Sequence, residues 1–260
     1  MKLKGLDYLD ISSNFSDDEI MIQHSVRDFV DKEVAPIIDE HFKNGTFPHE
    51  LIPQFADMNL LGVNLPEEYG CGGMSHVAYG LVCQELERCD SGIRSFVSVQ
   101  GSLVMFPIYA YGNEEQRKKW LPKLASAEYI GAWGLTEHNT GSDAGGMATT
   151  AVKDGDFWVL NGAKNFITHA ISGDIAVVIA RTGEKGDSHG MTAFVIEKGS
   201  SGFSTGKKED KFGIDEKTFL QLLNYIKKSK YLNLKCISVH IGSQILDHKP
   251  YLKMLNILSR

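Results

Sequence analysis

Two stretches of this chain gather residues able to hold a polar ligand: residues 133–143, WGLTEHNTGSD, and residues 164–168, KNFIT. The apolar, glycine-punctuated run 130–135, IGAWGL, reads as a buried strand, and the polar residues after it read as a loop leaving that strand's end. Hydroxyls at Thr136, Thr140 and Ser142 alternate with Gly141 and precede Gly145 and Gly146. Backbone N–H groups and side-chain donors in such a loop can approach a flat polar ligand closely; a solvated turn is the plainer alternative. Arg94 is a third candidate. A guanidinium inside an apolar stretch needs an anionic partner, and a bidentate carboxylate fits it best. The residue types leave open whether that carboxylate belongs to a ligand or to the protein.

The elements that position these stretches change character along the chain. Ser16 and Glu19 form a capping-box pattern that starts a helix with Val26, Phe29, Val30, Val34, Ile37 and Ile38 as its apolar stripe. Pro36 is expected to kink it and Gly45 to end it. Pro48 opens a second helix that closes near Gly62, and Ser75 caps a third running toward Arg88. Helical spacing continues over 95–111, and Asn113 with Gln116 caps a further helix through Leu124. From Ile130 the period becomes strand-like, with short apolar runs at 157–160, 166–168, 175–180 and 191–196 separated by glycine-containing turns. The expected fold class is α+β: an N-terminal helical domain over 1–128, a small all-β domain over 129–210, and a short βα tail over 211–260.

Composition bounds the rest. At 260 residues, 42% hydrophobic and 23% charged, the chain can build one large or two modest cores. It has no apolar run of roughly 18 residues, and its first residues lack a secretory h-region, so no membrane contact and a cytoplasmic or matrix-like location are expected. Four thinly spread cysteines and nine histidines show no metal-ligand spacing, which implies neither a zinc site nor a disulfide framework. Net charge is −6, unevenly spread: residues 207–260 hold eleven Lys and Arg against five Asp and Glu, the remainder sixteen against twenty-eight. The tail's lysines alternate with a regular apolar pattern, which reads as a solvated helix face and argues against a nucleic-acid partner. Gly70 and Gly72 begin a dinucleotide fingerprint that Ser75 breaks, and GFSTGKK at 202–208 falls one residue short of a P-loop.

The words TE, two variable positions, TGSD, and then a strand ending in FIT, resemble the flavin loop of acyl-CoA dehydrogenases. The order of helices before a β domain, from about Ser16 to Lys208, is similar to that family's N-terminal and middle domains. This resemblance implies FAD held by Trp133, Leu135, Thr136, Gly141 and Ser142 from one stretch and by Phe166, Ile167 and Thr168 from the other. It places the Thr136 hydroxyl near flavin N5, Phe166 and Thr168 against the ring, and Ser142 between the flavin and the acyl-thioester end of the substrate. Residues 86–104, LERCDSGIRSFVSVQGSLV, resemble the glutaryl-CoA dehydrogenase branch. There the resemblance implies Arg94 for a distal substrate carboxylate, Ser95 and Ser98 as acyl-pocket donors, and Ser188 near the pantetheine arm. His138 stands where the family usually has Pro, which frees φ and adds a titratable group. The implied reaction is α,β-dehydrogenation of an acyl-CoA, in which a carboxylate removes the α proton while the β hydrogen leaves as hydride to the flavin.

In that family a helical bundle after the β domain supplies the catalytic glutamate and builds the oligomer. The sequence here turns instead to DEKTFLQLLNYIKKSK, a helix with Phe219, Leu222, Leu223 and Ile226 on one face, then the strand LKCISVH and the word HIGSQ. No catalytic base is therefore assigned, and the chain is expected to be incomplete or inactive as a dehydrogenase, with an uncovered apolar face that favours self-association. KFGI, helix, strand and HIGSQ together resemble a piece of the PLP-dependent barrel of diaminopimelate decarboxylases. That resemblance implies His240 stacked on a pyridine ring and Ser243 near its phosphate. A lone barrel fragment cannot close its sheet or complete a site. The expectation is a chimera joined near residues 211–214, with two alternatives to dehydrogenation: flavin or CoA binding without turnover, and a PLP-related fragment.

Overall fold

A computed structural model describes residues 9–184, 186–187, 189–206, 216–230 and 252. The chain divides into two compact units, Met1–Thr205 and Gly206–Arg260.

The first unit begins with the helices the capping residues announce. Glu19 N–H donates to Ser16 Oγ and Ser16 N–H to Glu19 Oε2, closing the box that starts α1 (Asp17–Phe29). Its stripe continues through a π-helical turn, Val30–Val34, into α2 (Ala35–Asn44), which ends at a left-handed Gly45. The π-turn explains how Pro36 is accommodated. Proline cannot donate to the carbonyl four residues back, so the ladder resets: Ala35 N–H reaches Val30 O, five residues behind. The same device recurs where α5 (Ser91–Ser98) passes through the π-helical Val99–Met105 into α6 (Phe106–Tyr111). There Phe106 N–H bonds Gly101 O just ahead of Pro107.

The second expected helix is shorter than its pattern suggests: a 3-10 turn, then α3 (Ile52–Asp57), then another 3-10 turn at Leu60–Gly62. Ser75 caps α4 (His76–Glu87), and Asn113 with Gln116 forms a full capping box on α7 (Glu114–Ala125). Helix α5 starts earlier than its expected Ser95, because Asp90 Oδ1 accepts the Ile93 N–H and caps it.

The β region is a five-stranded mixed sheet centred on β4 (Ile175–Arg181). Strand β4 pairs in parallel with β1 (Gly131–Gly134) and antiparallel with β5 (Met191–Glu197). At Arg181 it meets Thr150 of β2 (Thr150–Asp154), which carries β3 (Phe157–Asn161) as a hairpin. Strand β2 was not expected. The strand expected at 166–168 does not form: Phe166 has φ +57°, a left-handed backbone that ends an extended run, and the segment is a loop.

Side chains alternate across β4. Ile175 and Val177 join a core with Val104, Ile108, Trp120 and Leu121, while Ala176 and Val178 face Leu160, Ile167 and Ile196. A methyl on Gly131 would lie 2.5 Å from Val104 Cγ1, so only glycine lets β1 pack this closely on the π-helical segment. Gln100, fully buried in that segment, donates to Leu124 O and Tyr129 O and accepts from Gly131 N–H at 2.8 Å. One side chain thereby fastens the end of α7 to the start of the strand that feeds the candidate loop.

The second unit contributes α8 (Glu216–Lys228). Phe219, Leu223 and Ile226 are half-buried, whereas Leu222, at the edge of that stripe, and Tyr225 are exposed. The strand LKCISVH, His240, Ser243 and the joint at 211–214 lie outside the described residues. Among the described residues, no helix is long and apolar enough to cross a membrane.

Candidate functional site

Both ligand-type stretches leave the sheet at the same place. After β1, Leu135 and Thr136 lead into a tight reverse turn in which Glu137 and Thr140 exchange backbone hydrogen bonds of 2.9 and 3.2 Å. The second stretch lies alongside, because Asn165 N–H donates to Thr136 O at 2.8 Å. Beneath them sits a buried ion pair, Glu137 and Lys164, only 7% and 9% exposed. Lys164 Nζ donates to Glu137 Oε1 at 2.8 Å and to Leu135 O at 3.0 Å. The same carboxylate accepts the Thr149 N–H at 2.9 Å and the Ala148 N–H at 2.6 Å. Burial alone would raise the Glu137 carboxyl, but Lys164 and the Ala148 and Thr149 donors outweigh it and hold it down at about 2.

The loop between these anchors carries the small polar residues. Gly141 has no positive φ, and a methyl there would meet no atom within 4 Å. Open space therefore borders the loop at Gly141, next to the exposed Ser142. Gly146 differs, since a methyl there would press on Asp143 Oδ2 at 2.9 Å. On the second stretch Ile167 turns inward against Ala132, Ala176 and Val178, and Phe166 and Thr168 point outward. Phe166 is 56% exposed and Thr168 is exposed, whereas Thr136, whose carbonyl accepts from Asn165 N–H, is half-buried. Trp133 packs partly buried against the core cluster beneath the helices. These residues fit a planar, partly apolar cofactor with polar edges.

His169, one residue beyond Thr168, also has a left-handed backbone, φ +63°, and its ring meets Phe96 edge-to-face at 4.7 Å. Burial pushes its imidazole down to about 4, offset in part by the Phe96 backbone and reinforced by His49. Phe96 sits on α5 two residues after Arg94, so the helix with the anion-binding candidate abuts the end of the second stretch. Arg94 itself has a protein partner: its Nε donates to Glu87 Oε2 at 2.6 Å and its Nη1 to Ser98 Oγ at 3.2 Å. Ser98 in turn donates to Ser95 O. Glu85, on the same helix as Glu87, is occupied by Arg27 and Arg88.

The structure thus brings Leu135, Thr136, Gly141 and Ser142 to the same end of the sheet as Phe166, Ile167 and Thr168, and groups Arg94, Ser95 and Ser98 on α5. Ser188 lies outside the described residues. Sequence reasoning missed Glu137, Lys164, His169 and Gln100 as organising groups. The first two stand inside the motif words, but nothing in a one-dimensional pattern pairs charges 27 residues apart.

Known proteins resemble this chain in sequence and fold. Residues 16–128 match the family model for the N-terminal domain of acyl-CoA dehydrogenase, and residues 132–223 match that for its middle domain. Residues 193–259 match the pyridoxal-binding domain of pyridoxal-dependent decarboxylases, overlapping the middle-domain match. An acyl-CoA dehydrogenase of Bacillus subtilis is 41% identical over 197 residues, covering 76% of this chain and 52% of the relative. The human mitochondrial short-chain specific acyl-CoA dehydrogenase is 35% identical over 230 residues, 87% of this chain and 56% of the relative. Among solved structures, a glutaryl-CoA dehydrogenase from Mycobacterium smegmatis in complex with FADH2 superposes with a TM-score of 0.73 at 43% identity. That match covers 79% of this chain and 52% of the other. The chain spans about half the length of these relatives. Residues 16–128 and 132–223 are thus the N-terminal and middle domains of the acyl-CoA dehydrogenase family.

Proposed function

We propose that residues 129–210 form the protein half of an FAD site and that the chain derives from an enzyme of acyl-CoA α,β-dehydrogenation. The observation that carries this reading is the convergence of the two stretches, fixed by the Asn165 bond to Thr136 and the Lys164 bonds to Leu135 and Glu137. A bound flavin would supply the hydride acceptor. The chain's own residues would do the rest of the holding: Thr136 and Ser142 offer hydroxyls, Phe166 an aromatic face, and Thr168 a hydroxyl beside it.

On the acyl side, Arg94 with Ser95 and Ser98 is the proposed determinant of a substrate carrying a second carboxylate. Such a carboxylate would compete with Glu87 for the guanidinium. Anaerobic addition of glutaryl-CoA to the FAD-loaded chain should bleach the flavin band if turnover is intact. A band unchanged by glutaryl-CoA and by a monocarboxylic acyl-CoA would reject turnover.

A second reading, binding without turnover, is favoured by the state of three carboxylates. Glu85 is held by two arginines, Glu87 by Arg94 and Ser91, and Glu137 by Lys164 and two backbone donors. None of the three is placed to abstract a proton, and a general base must reach the proton it removes. Flavin retention without bleaching would be its signature.

A further inference from the structure

We propose that Glu137 and Lys164 act as a positioning clasp that sets the separation of the two ligand-facing stretches before any cofactor arrives. The inference rests on the flavin reading above. Three features of the pair go beyond a structural fastener. First, it touches three segments around the loop: the exit of β1 through Leu135 O, the far end of the loop through Ala148 and Thr149, and the second stretch through Lys164 itself. Residues 138–147 are therefore a closed excursion whose two ends meet at one carboxylate.

Second, its members are immediate neighbours of ligand-facing groups. Glu137 follows Thr136, and Lys164 stands two residues before Phe166, with Asn165 between them bonded to Thr136 O. A shift of the pair would move Thr136 and Phe166 together. Third, a buried ion pair is an uneconomical way to stabilise a fold, because desolvation offsets most of its attraction and apolar residues of similar volume often do as well. A device that fixes geometry has a use for such a pair, since rigid support of ligand-facing groups raises affinity by removing the ordering cost at binding.

The test titrates FAD into the flavin-free full-length chain and into Lys164→Met, Lys164→Arg and the double variant Glu137→Gln/Lys164→Met. Each is measured well below its own unfolding temperature, with circular dichroism confirming a folded protein. The double variant leaves no unpaired charge, so it remains informative should the single Lys164→Met fail to fold. The clasp predicts an FAD dissociation constant raised roughly tenfold to a hundredfold in Lys164→Met and in the double variant, by analogy with the loss of groups that orient the ligands of a metal. It also predicts altered fluorescence of the bound flavin and partial recovery of both readouts in Lys164→Arg. A fastener with no positioning role would lower the unfolding temperature and leave affinity and spectrum of the folded protein unchanged; that result overturns the clasp alone. Failure of the unaltered chain to bind FAD overturns the flavin reading and the clasp with it.

Discussion

Two buried glutamates, one in each layer, use the same charge chemistry to different ends. Glu85 is 1% exposed and fastens helices: Arg27 of α1 reaches it with Nη2 at 2.6 Å and Nε at 3.0 Å, and Arg88 adds a bond of 3.1 Å. Both arginines extend to solvent, at 40% and 35% exposure, and Arg88 continues to Asp31. Glu137 instead meets a lysine that is itself buried, plus two backbone N–H groups of a loop. The first pair has an escape route to water, whereas the second has none. The difference teaches where an ion pair is expensive to break: a stem that reaches solvent can rehydrate its charge, and a buried ammonium cannot.

The largest expected effect breaks that contrast directly. Glu137→Ala strands Lys164 and should cost about 3–5 kcal/mol of stability in urea denaturation. Glu85→Ala frees two arginines that reach water and should cost less, about 1–3 kcal/mol. Equal or reversed losses would show that partner burial does not decide the cost.

Gln100→Ala comes next. It removes the bridge between the helical layer and β1 and takes the Gln100 amide from Tyr129 O and Gly131 N–H, for an expected loss of about 1–3 kcal/mol. If urea denaturation shows no loss, water has replaced the amide and the two layers are not joined through it.

Titration sharpens the comparison, because the groups act in separate windows. His169 has its folded pKa depressed from 6.5 to about 4, so protons bind the unfolded chain more readily. Its contribution to stability is fully present above about 6.5 and is lost as pH falls toward about 4. Glu137 contributes above 4.5 and loses its share only as pH falls toward about 2. The urea midpoint should therefore drop between about pH 7 and pH 5, and His169→Phe should flatten that slope. An unchanged slope in His169→Phe would assign the drop elsewhere.

The smallest effect concerns the β2–β3 hairpin, where Val152, Phe157, Trp158 and Val159 are all exposed. Apolar groups gathered on one hairpin favour association. Light scattering should show species larger than a monomer, reduced by Phe157→Ser, and a monodisperse monomer in the unaltered chain would contradict this.

Much of the helical layer was legible because its signals are local. Ser16 with Glu19, Ser75, and Asn113 with Gln116 each satisfy a backbone donor three residues away, and all three caps form as read. The site was legible as two words but not as a machine. Phe166 and Thr168 alternate with Ile167 as a strand would, yet the left-handed Phe166 makes the segment a loop, a choice imposed by neighbours and invisible in the pattern. The π-turns ahead of Pro36 and Pro107 look the same in sequence as ordinary kinks. Arg94 had an open choice of carboxylate partner, and the structure supplies Glu87, seven residues back on the preceding helix.

The central claim is that the stretches around Thr136 and Phe166 form the protein half of a flavin site. Its most direct test is the visible absorption spectrum of the full-length chain after incubation with FAD and gel filtration. Flavin bands travelling with the protein are the predicted result. A colourless protein eluting apart from the flavin would contradict the claim, leaving Glu137 and Lys164 to fasten a loop that binds nothing.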